Sequence, residues 1–166
     1  QRPESWEAAL KPNTRLFYVE TITNPLMRVP RLKQVVEFAR AHRLVSAIDN
    51  TFASPINFHP LALGFDLSIH SATKYLNGHS DIVAGCVLGS EKLVASVRKT
   101  LNHYGGSLDP HAAFLLARGL KTLALRVKAQ NANCDPSSYD GVFTLGTVIA
   151  LANTGSVLVA QVHPTV

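Results

Sequence analysis

Four short apolar segments, three of them ending on a carboxylate or hydroxyl, constrain the fold of this chain more than any other feature. Arg15-Leu16-Phe17-Tyr18-Val19-Glu20 is β-branched and aromatic and closes on a carboxylate. Leu44 to Ile48 runs directly into Asp49-Asn50, Asp66 to Ser71 ends on a hydroxyl, and Ile82 to Leu88 forms the fourth. Runs of this length and composition predict strands. After the first, Thr23-Asn24-Pro25 breaks the chain, and Leu32, Val35, Val36 and Ala39 then fall at helical spacing within Arg31 to His42. Ser90-Glu91-Lys92 predicts the start of a helix running to about His103, stopped by Tyr104-Gly105-Gly106, and a long amphipathic helix is expected from about Pro110 to Asn131. Apolar strands alternating with helices indicate a three-layer α/β sheet. In such sheets ligands gather at the carboxyl ends of the strands, where Glu20, Asp49 and Ser71 are expected, with Lys74 just beyond.

Composition and spacing exclude several functions. At 166 residues the chain can bury one good core. The net charge of +5 is concentrated in helical stretches such as Arg118 to Lys128, without aromatic interleaving, which predicts a solvated face and no nucleic-acid partner. Arg118 and Arg126, eight residues apart, read as helix-face cations with structural pairing. Cys86 and Cys134 form no CxxC pair, as expected of free thiols in a reducing compartment. The seven histidines show neither HxH nor HExxH spacing, so no metal site is expected. His79-Ser80-Asp81 contains hydrolase residue types, but consecutive residues cannot meet in triad geometry. The apolar run Val142 to Val162 is interrupted by Asn153, Thr154, Gly155, Ser156 and Gln161, which argues against a membrane span. With no initiating Met and no leader pattern, the chain reads as a fragment lacking at least its N-terminal part.

The chemistry centres on Ser71-Ala72-Thr73-Lys74, followed by Tyr75-Leu76-Asn77-Gly78-His79-Ser80-Asp81. An amine flanked by two hydroxyls just past one strand, with a carboxylate ending an earlier strand, suits pyridoxal phosphate. The amine meets the aldehyde, the hydroxyls meet the phosphate, and the carboxylate meets the ring nitrogen.

Further motifs occur in order around this core: Tyr18-Val19-Glu20-Thr21-Ile22-Thr23-Asn24-Pro25, Asp49-Asn50-Thr51-Phe52-Ala53-Ser54-Pro55, Pro60-Leu61-Ala62-Leu63-Gly64, Gly106-Ser107-Leu108-Asp109-Pro110 and Arg118-Gly119-Leu120-Lys121-Thr122-Leu123. Together, from about Lys11 to Asn133, the chain resembles the Cys/Met-metabolism family of pyridoxal-phosphate enzymes. That family includes cystathionine γ-synthase, cystathionine γ-lyase, cystathionine β-lyase and methionine γ-lyase. The resemblance implies the three-layer α/β/α large domain of the aspartate-aminotransferase-like (type I) pyridoxal-phosphate fold, in incomplete form. Residues 1–133 are then part of the cofactor-binding large domain. Residues 134–156 read as an atypical insertion, because Gln130 to Asn133 and Val157 to Pro164 resemble pieces that normally adjoin. Residues 157–166 begin the linker helix toward a missing small domain.

By the same resemblance Lys74 is the Schiff-base lysine and proton carrier, Asp49 pairs with the pyridinium nitrogen, Ser71 and Thr73 hold the phosphate, and Asn24 lies near the cofactor's 3-hydroxyl. Glu20 is expected to have a structural role. The implied function is γ-elimination or γ-replacement on cystathionine or a related small-molecule sulfur amino acid. β-Elimination on cystathionine is one alternative; a catalytically inert, truncated paralogue that binds only cofactor or parent subunits is another. The parent is expected to be a cytoplasmic homotetramer with active sites at dimer interfaces. The residues that stack on the ring and grip the substrate carboxylate in this family have no counterparts here.

Overall fold

Helix follows strand along the chain, and the two parallel pairings of the sheet follow from that alternation. The computed structural model describes residues 3–133. In chain order the elements are α1 (Pro3–Ala9), β1 (Leu16–Glu20), α2 (Leu32–Ala41), β2 (Val45–Asp49), α3 (Ser54–Asn57), α4 (Pro60–Leu63), β3 (Leu67–Ser71), β4 (Gly85–Gly89), α5 (Glu91–Tyr104), α6 (Pro110–Leu120) and α7 (Leu123–Asn133). The expected insertion at 134–156 and linker at 157–166 lie outside the described residues.

The strands form one sheet in the order β1-β2-β3-β4. β1, β2 and β3 are parallel, because α2 and the short α3 and α4 carry the chain back between them. Glu20 stands in register with Asp49, and Asp49 with Ile69, so the carboxyl ends of the three strands line one edge. β4 instead runs antiparallel to β3, with Ser71 opposite Gly85. The connection 72–84 contains only turns, and a chain without a crossover helix returns antiparallel. β4 also begins later than the apolar pattern suggests: Ile82 is buried in the preceding loop and Val83 is exposed.

Two apolar clusters hold the elements. One joins Trp6, Val19, Val35, Val36, Ile48, Ala53, Phe58 and Phe65, with Phe17 and Phe38 packed against it. The buried stripe Val35, Val36 and Ala39 explains the position of α2, and Trp6, Phe17 and Phe38 meet edge to face at centroid distances of 5.2 to 5.5 Å. The second cluster is built of smaller groups: Ala72, Leu76, Leu123 and Val127, with Ile56, Tyr75, Leu116 and Leu120 alongside. On the opposite face of β1 from Val19, Leu16 and Tyr18 remain about half exposed, so the layer covering that face is incomplete among the described residues.

The single long helix expected from Pro110 to Asn131 is two helices. Asp109 caps the first, its carboxylate accepting from the His111 and Ala112 N–H groups at 3.0 Å. The break falls at Lys121-Thr122, where the N–H groups of both residues turn back to the carbonyls three residues earlier, Arg118 and Gly119. Gly119 weakens the helix intrinsically, and its place is dictated by packing: a Cβ there would collide with the main chain of Asn77. No helix among the described residues is long and apolar enough to cross a membrane.

Candidate cofactor site

The carboxyl edge of β1, β2 and β3 gathers the polar groups. Asp49 ends β2 with both carboxylate oxygens engaged: Oδ1 accepts from the Thr51 N–H at 2.9 Å and Oδ2 from the Tyr18 hydroxyl at 3.3 Å. Burial pushes the Tyr18 phenol above its ordinary range, reinforced by the Asp49 charge and hydrogen bond and by Glu20. Directly behind, the fully buried Asn50 accepts from Thr21 Oγ1 at 2.8 Å and donates to the carbonyls of Ser54 and Phe58 at 3.2 and 2.9 Å. This fixes the loop leaving β2. Thr51 then ties that loop to β3, its hydroxyl accepting from the Ser71 N–H at 2.7 Å.

Lys74 projects from the turn that follows β3. Its Nζ lies 5.8 Å from the centroid of the Phe52 ring and has no carboxylate at ion-pair distance among the described residues. Lys74 also lines an open cleft of about 670 Å³, with Thr73, Tyr75, Asp81 and Arg126 on its wall and Asp49 and Ser71 outside it. Ser71 is partly buried and its hydroxyl has no hydrogen-bond partner among the described residues. Thr73 differs. Its hydroxyl donates to the Ala84 carbonyl at 3.2 Å and accepts from the Ala84 N–H at 2.8 Å, pinning the Lys74 turn to the residue just before β4.

Asn24 lies exposed beyond β1, and no hydrogen bond joins its side chain to Asp49, Ser71 or Lys74 among the described residues. Its N–H donates to Glu20 Oε2 at 3.2 Å, so Glu20 closes the turn after β1, in keeping with a structural role. The structure therefore brings Asp49 and Ser71 to one edge with Lys74 just beyond, and sets Asn24 in the loop that follows β1.

Several participants escaped the sequence reading. Tyr18 had a usable signal, since strand alternation places it on the same face as Glu20, whose neighbour in register is Asp49. Arg126 had none. From α7 its Nη1 donates to the Tyr75 carbonyl at 2.7 Å, Nη2 to Gly119 at 2.8 Å and less closely to Leu76 and Asn77 at 3.3 and 3.4 Å, and Nε to Thr122 Oγ1 at 3.1 Å. Arg118 pairs with Asp81 at 3.7 Å, matching the structural pairing expected of these cations. His70, buried on β3, is pushed down to about 4 by desolvation, against a smaller opposing pull from Asp49. Burial likewise pushes the Cys86 thiol up to about 11, so it is a poor nucleophile at neutral pH.

Among the described residues the donor set suits pyridoxal phosphate: an amine without an ion pair, a hydroxyl for which no hydrogen bond is seen, and, on the neighbouring strand, a carboxylate fixed by two donors. Residues 1–136 match the family described as Cys/Met metabolism PLP-dependent enzyme. The chain is 44% identical over 135 residues to the cystathionine beta-lyase MetC of Staphylococcus haemolyticus, covering 81% of this chain and 34% of that protein. It is 48% identical over 116 residues to the chloroplastic cystathionine gamma-synthase 1 of Arabidopsis thaliana, covering 70% of this chain and 21% of that protein. Among solved structures it is similar to a cystathionine gamma synthase from Xanthomonas oryzae pv. oryzae in complex with aminoacrylate and cysteine. There the TM-score is 0.73 and the identity 41%, over 80% of this chain and 35% of that one. The chain spans about a third or less of the length of these two curated relatives. Its described residues form an incomplete α/β/α large domain of the type I pyridoxal-phosphate fold. The chain belongs to the Cys/Met metabolism family of enzymes, lyases and transferases whose cofactor is pyridoxal 5'-phosphate.

Proposed function

We propose that this chain carries the lysine side of a transsulfuration site, in an enzyme that performs γ-elimination or γ-replacement on cystathionine or a related sulfur amino acid. The observation that carries this reading is the strand edge: Asp49 is fixed by Thr51 and Tyr18 at the end of β2, and Lys74 follows the end of β3 with no ion pair among the described residues. When bound, pyridoxal phosphate supplies a conjugated ring that takes up the electron pair left as the substrate α-proton departs. Lys74 Nζ would hold the cofactor covalently and, once displaced by the substrate amine, take the proton from the α-carbon and return it at a neighbouring atom. Asp49 would accept the ring N–H and keep that proton in place. Ser71 would donate its uncommitted hydroxyl proton to the phosphate. Thr73 would join it by turning its own proton away from Ala84. Asn24 would approach the 3-hydroxyl from the loop after β1.

Residues 1–133 would form the cofactor-binding part of the large domain, 134–156 an insertion and 157–166 the start of a linker. The parent would be a cytoplasmic homotetramer with sites at dimer interfaces. The relative from Staphylococcus haemolyticus favours β-elimination as the second reading. Titration with pyridoxal phosphate is expected to give an absorbance band from covalently held cofactor that is absent in Lys74→Ala. No band at saturating cofactor would leave an inert paralogue as the better description. Products from cystathionine then separate the chemistries: cysteine and 2-oxobutyrate for γ-elimination, homocysteine and pyruvate for β-elimination, with ammonia in both.

A further inference from the structure

The Lys74 turn ends like a short helix whose last carbonyls need partners. The Asn77 N–H bonds to the Ala72 carbonyl at 3.1 Å and the Gly78 N–H to the Lys74 carbonyl at 2.7 Å, which closes one tight turn around the lysine. The next three carbonyls, of Tyr75, Leu76 and Asn77, lie at the end of this turn, where a helix would leave them without continuing N–H donors. All three accept from the single guanidinium of Arg126, and the Asn77 carbonyl also meets His79 Nδ1 at 2.7 Å. That guanidinium has no carboxylate at ion-pair distance among the described residues. Its remaining bonds go to Gly119 O and Thr122 Oγ1, the two acceptors at the α6–α7 break.

Two glycines make the approach possible. Gly78 takes a φ of +75°, and a Cβ on it would collide with the Arg126 guanidinium. Gly119 lets α6 come against the Asn77 carbonyl. Asn77, fully buried, also donates to Asp81 Oδ1 at 2.7 Å, and Asp81 pairs with Arg118, so a second contact from α6 supports the same turn. An ammonium could not reproduce this. A planar fork with five fixed N–H groups can meet acceptors on two elements at once, whereas a lysine presents a point charge.

We infer that Arg126 is a positioning residue for the Schiff-base lysine: it fixes the backbone from which Lys74 reaches the cofactor aldehyde, without touching the cofactor itself. This rests on the assignment of Lys74 proposed above. Removing the fork leaves the Tyr75 and Leu76 carbonyls unheld, with only the Asn77 carbonyl still met by His79, so the amine samples more directions and meets the aldehyde less often in a productive one.

The test uses the full chain with pyridoxal phosphate, borohydride reduction and peptide mass mapping, with exposed Lys33 and Lys92 as internal references. In the unsubstituted chain Lys74 should be labelled in strong preference to both. In Arg126→Ala and Arg126→Lys that preference should fall by about tenfold or more, with weaker induced circular dichroism from bound cofactor. Millimolar guanidinium should restore it in Arg126→Ala but not in Arg126→Lys. Val127→Ala, which thins the same cluster without touching the clamp, should lower the thermal midpoint and leave the preference intact. Equal preference in the Arg126 variants and the unsubstituted chain would overturn the inference, as would an equal loss in Val127→Ala. If Arg126→Ala does not fold, Thr122→Val decides: a reduced preference at an unchanged thermal midpoint supports the clamp, and an unchanged preference overturns it. Failure of the unsubstituted chain to favour Lys74 would instead defeat the Lys74 assignment.

Discussion

The two apolar clusters are built by different means. Around Trp6, Phe17 and Phe38, large rings fill space and the elements are held by volume. Around Ala72, Leu76, Leu123 and Val127 the side chains are small, and position is set by polar contacts to the main chain from Arg126, Asn77 and Thr73. The first arrangement is set by shape, with the stabilisation spread over many weak contacts and the ring pairs. The second is set by direction, since hydrogen bonds weaken steeply with angle. The catalytic candidate lies on the second.

Substitutions can break or sharpen this contrast. Trp6→Ala should cost about 3–5 kcal/mol of stability by leaving a cavity, measured by denaturant unfolding, while Lys74 labelling in the folded fraction stays unchanged. Equal loss of labelling would mean that the two clusters are one unit. Asp49→Asn should lower turnover of the assembled enzyme by about a hundredfold with little change in folding. In the same variant the Tyr18 phenol should titrate closer to its ordinary value, read by ultraviolet absorbance, because the Asp49 charge contributes to its rise and only burial and the Glu20 charge then remain as its main causes. Gly119→Ala should cost about 1–3 kcal/mol by overpacking against Asn77, and here labelling of Lys74 should fall together with stability. The smallest effect is expected at His70. Its folded-state value is held near 4 against an ordinary 6.5, so the unfolded chain binds the proton first as pH falls. Stability should therefore decline from about pH 6.5 toward 4, and His70→Leu should flatten that decline in urea melts at pH 7 and 5.

Much of the fold was legible because strands announce their ends. Glu20, Asp49 and Ser71 all close their strands as the apolar runs suggested, and α2 follows the Leu32, Val35, Val36, Ala39 spacing within a residue or two. The direction of β4 was not written in its own composition. It depends on the connection 72–84, which lacks a helical pattern. The break between α6 and α7 escaped for a different reason: Gly119 is tolerable in a helix by propensity, and only its contact with Asn77, over forty residues earlier, gives it a purpose. Thr73 and Arg126 show the same limit. Nothing in the sequence joins the Thr73 hydroxyl to Ala84, eleven residues on, beside the phosphate role expected of it. Structural pairing was expected of Arg126, but not that three of its acceptors lie about fifty residues back.

Arg126 grips oxygens that every residue type possesses. Whatever side chains occupy positions 75 and 76, the same carbonyls stand in the same place, so the turn can be re-lettered there at the cost of local packing alone. Gly78 has no such freedom, because any larger group would push the guanidinium aside. For someone redesigning specificity around this lysine, position 75 is therefore open to a library and the buried position 76 to apolar residues of similar size, while 78, 119 and 126 belong in the fixed frame.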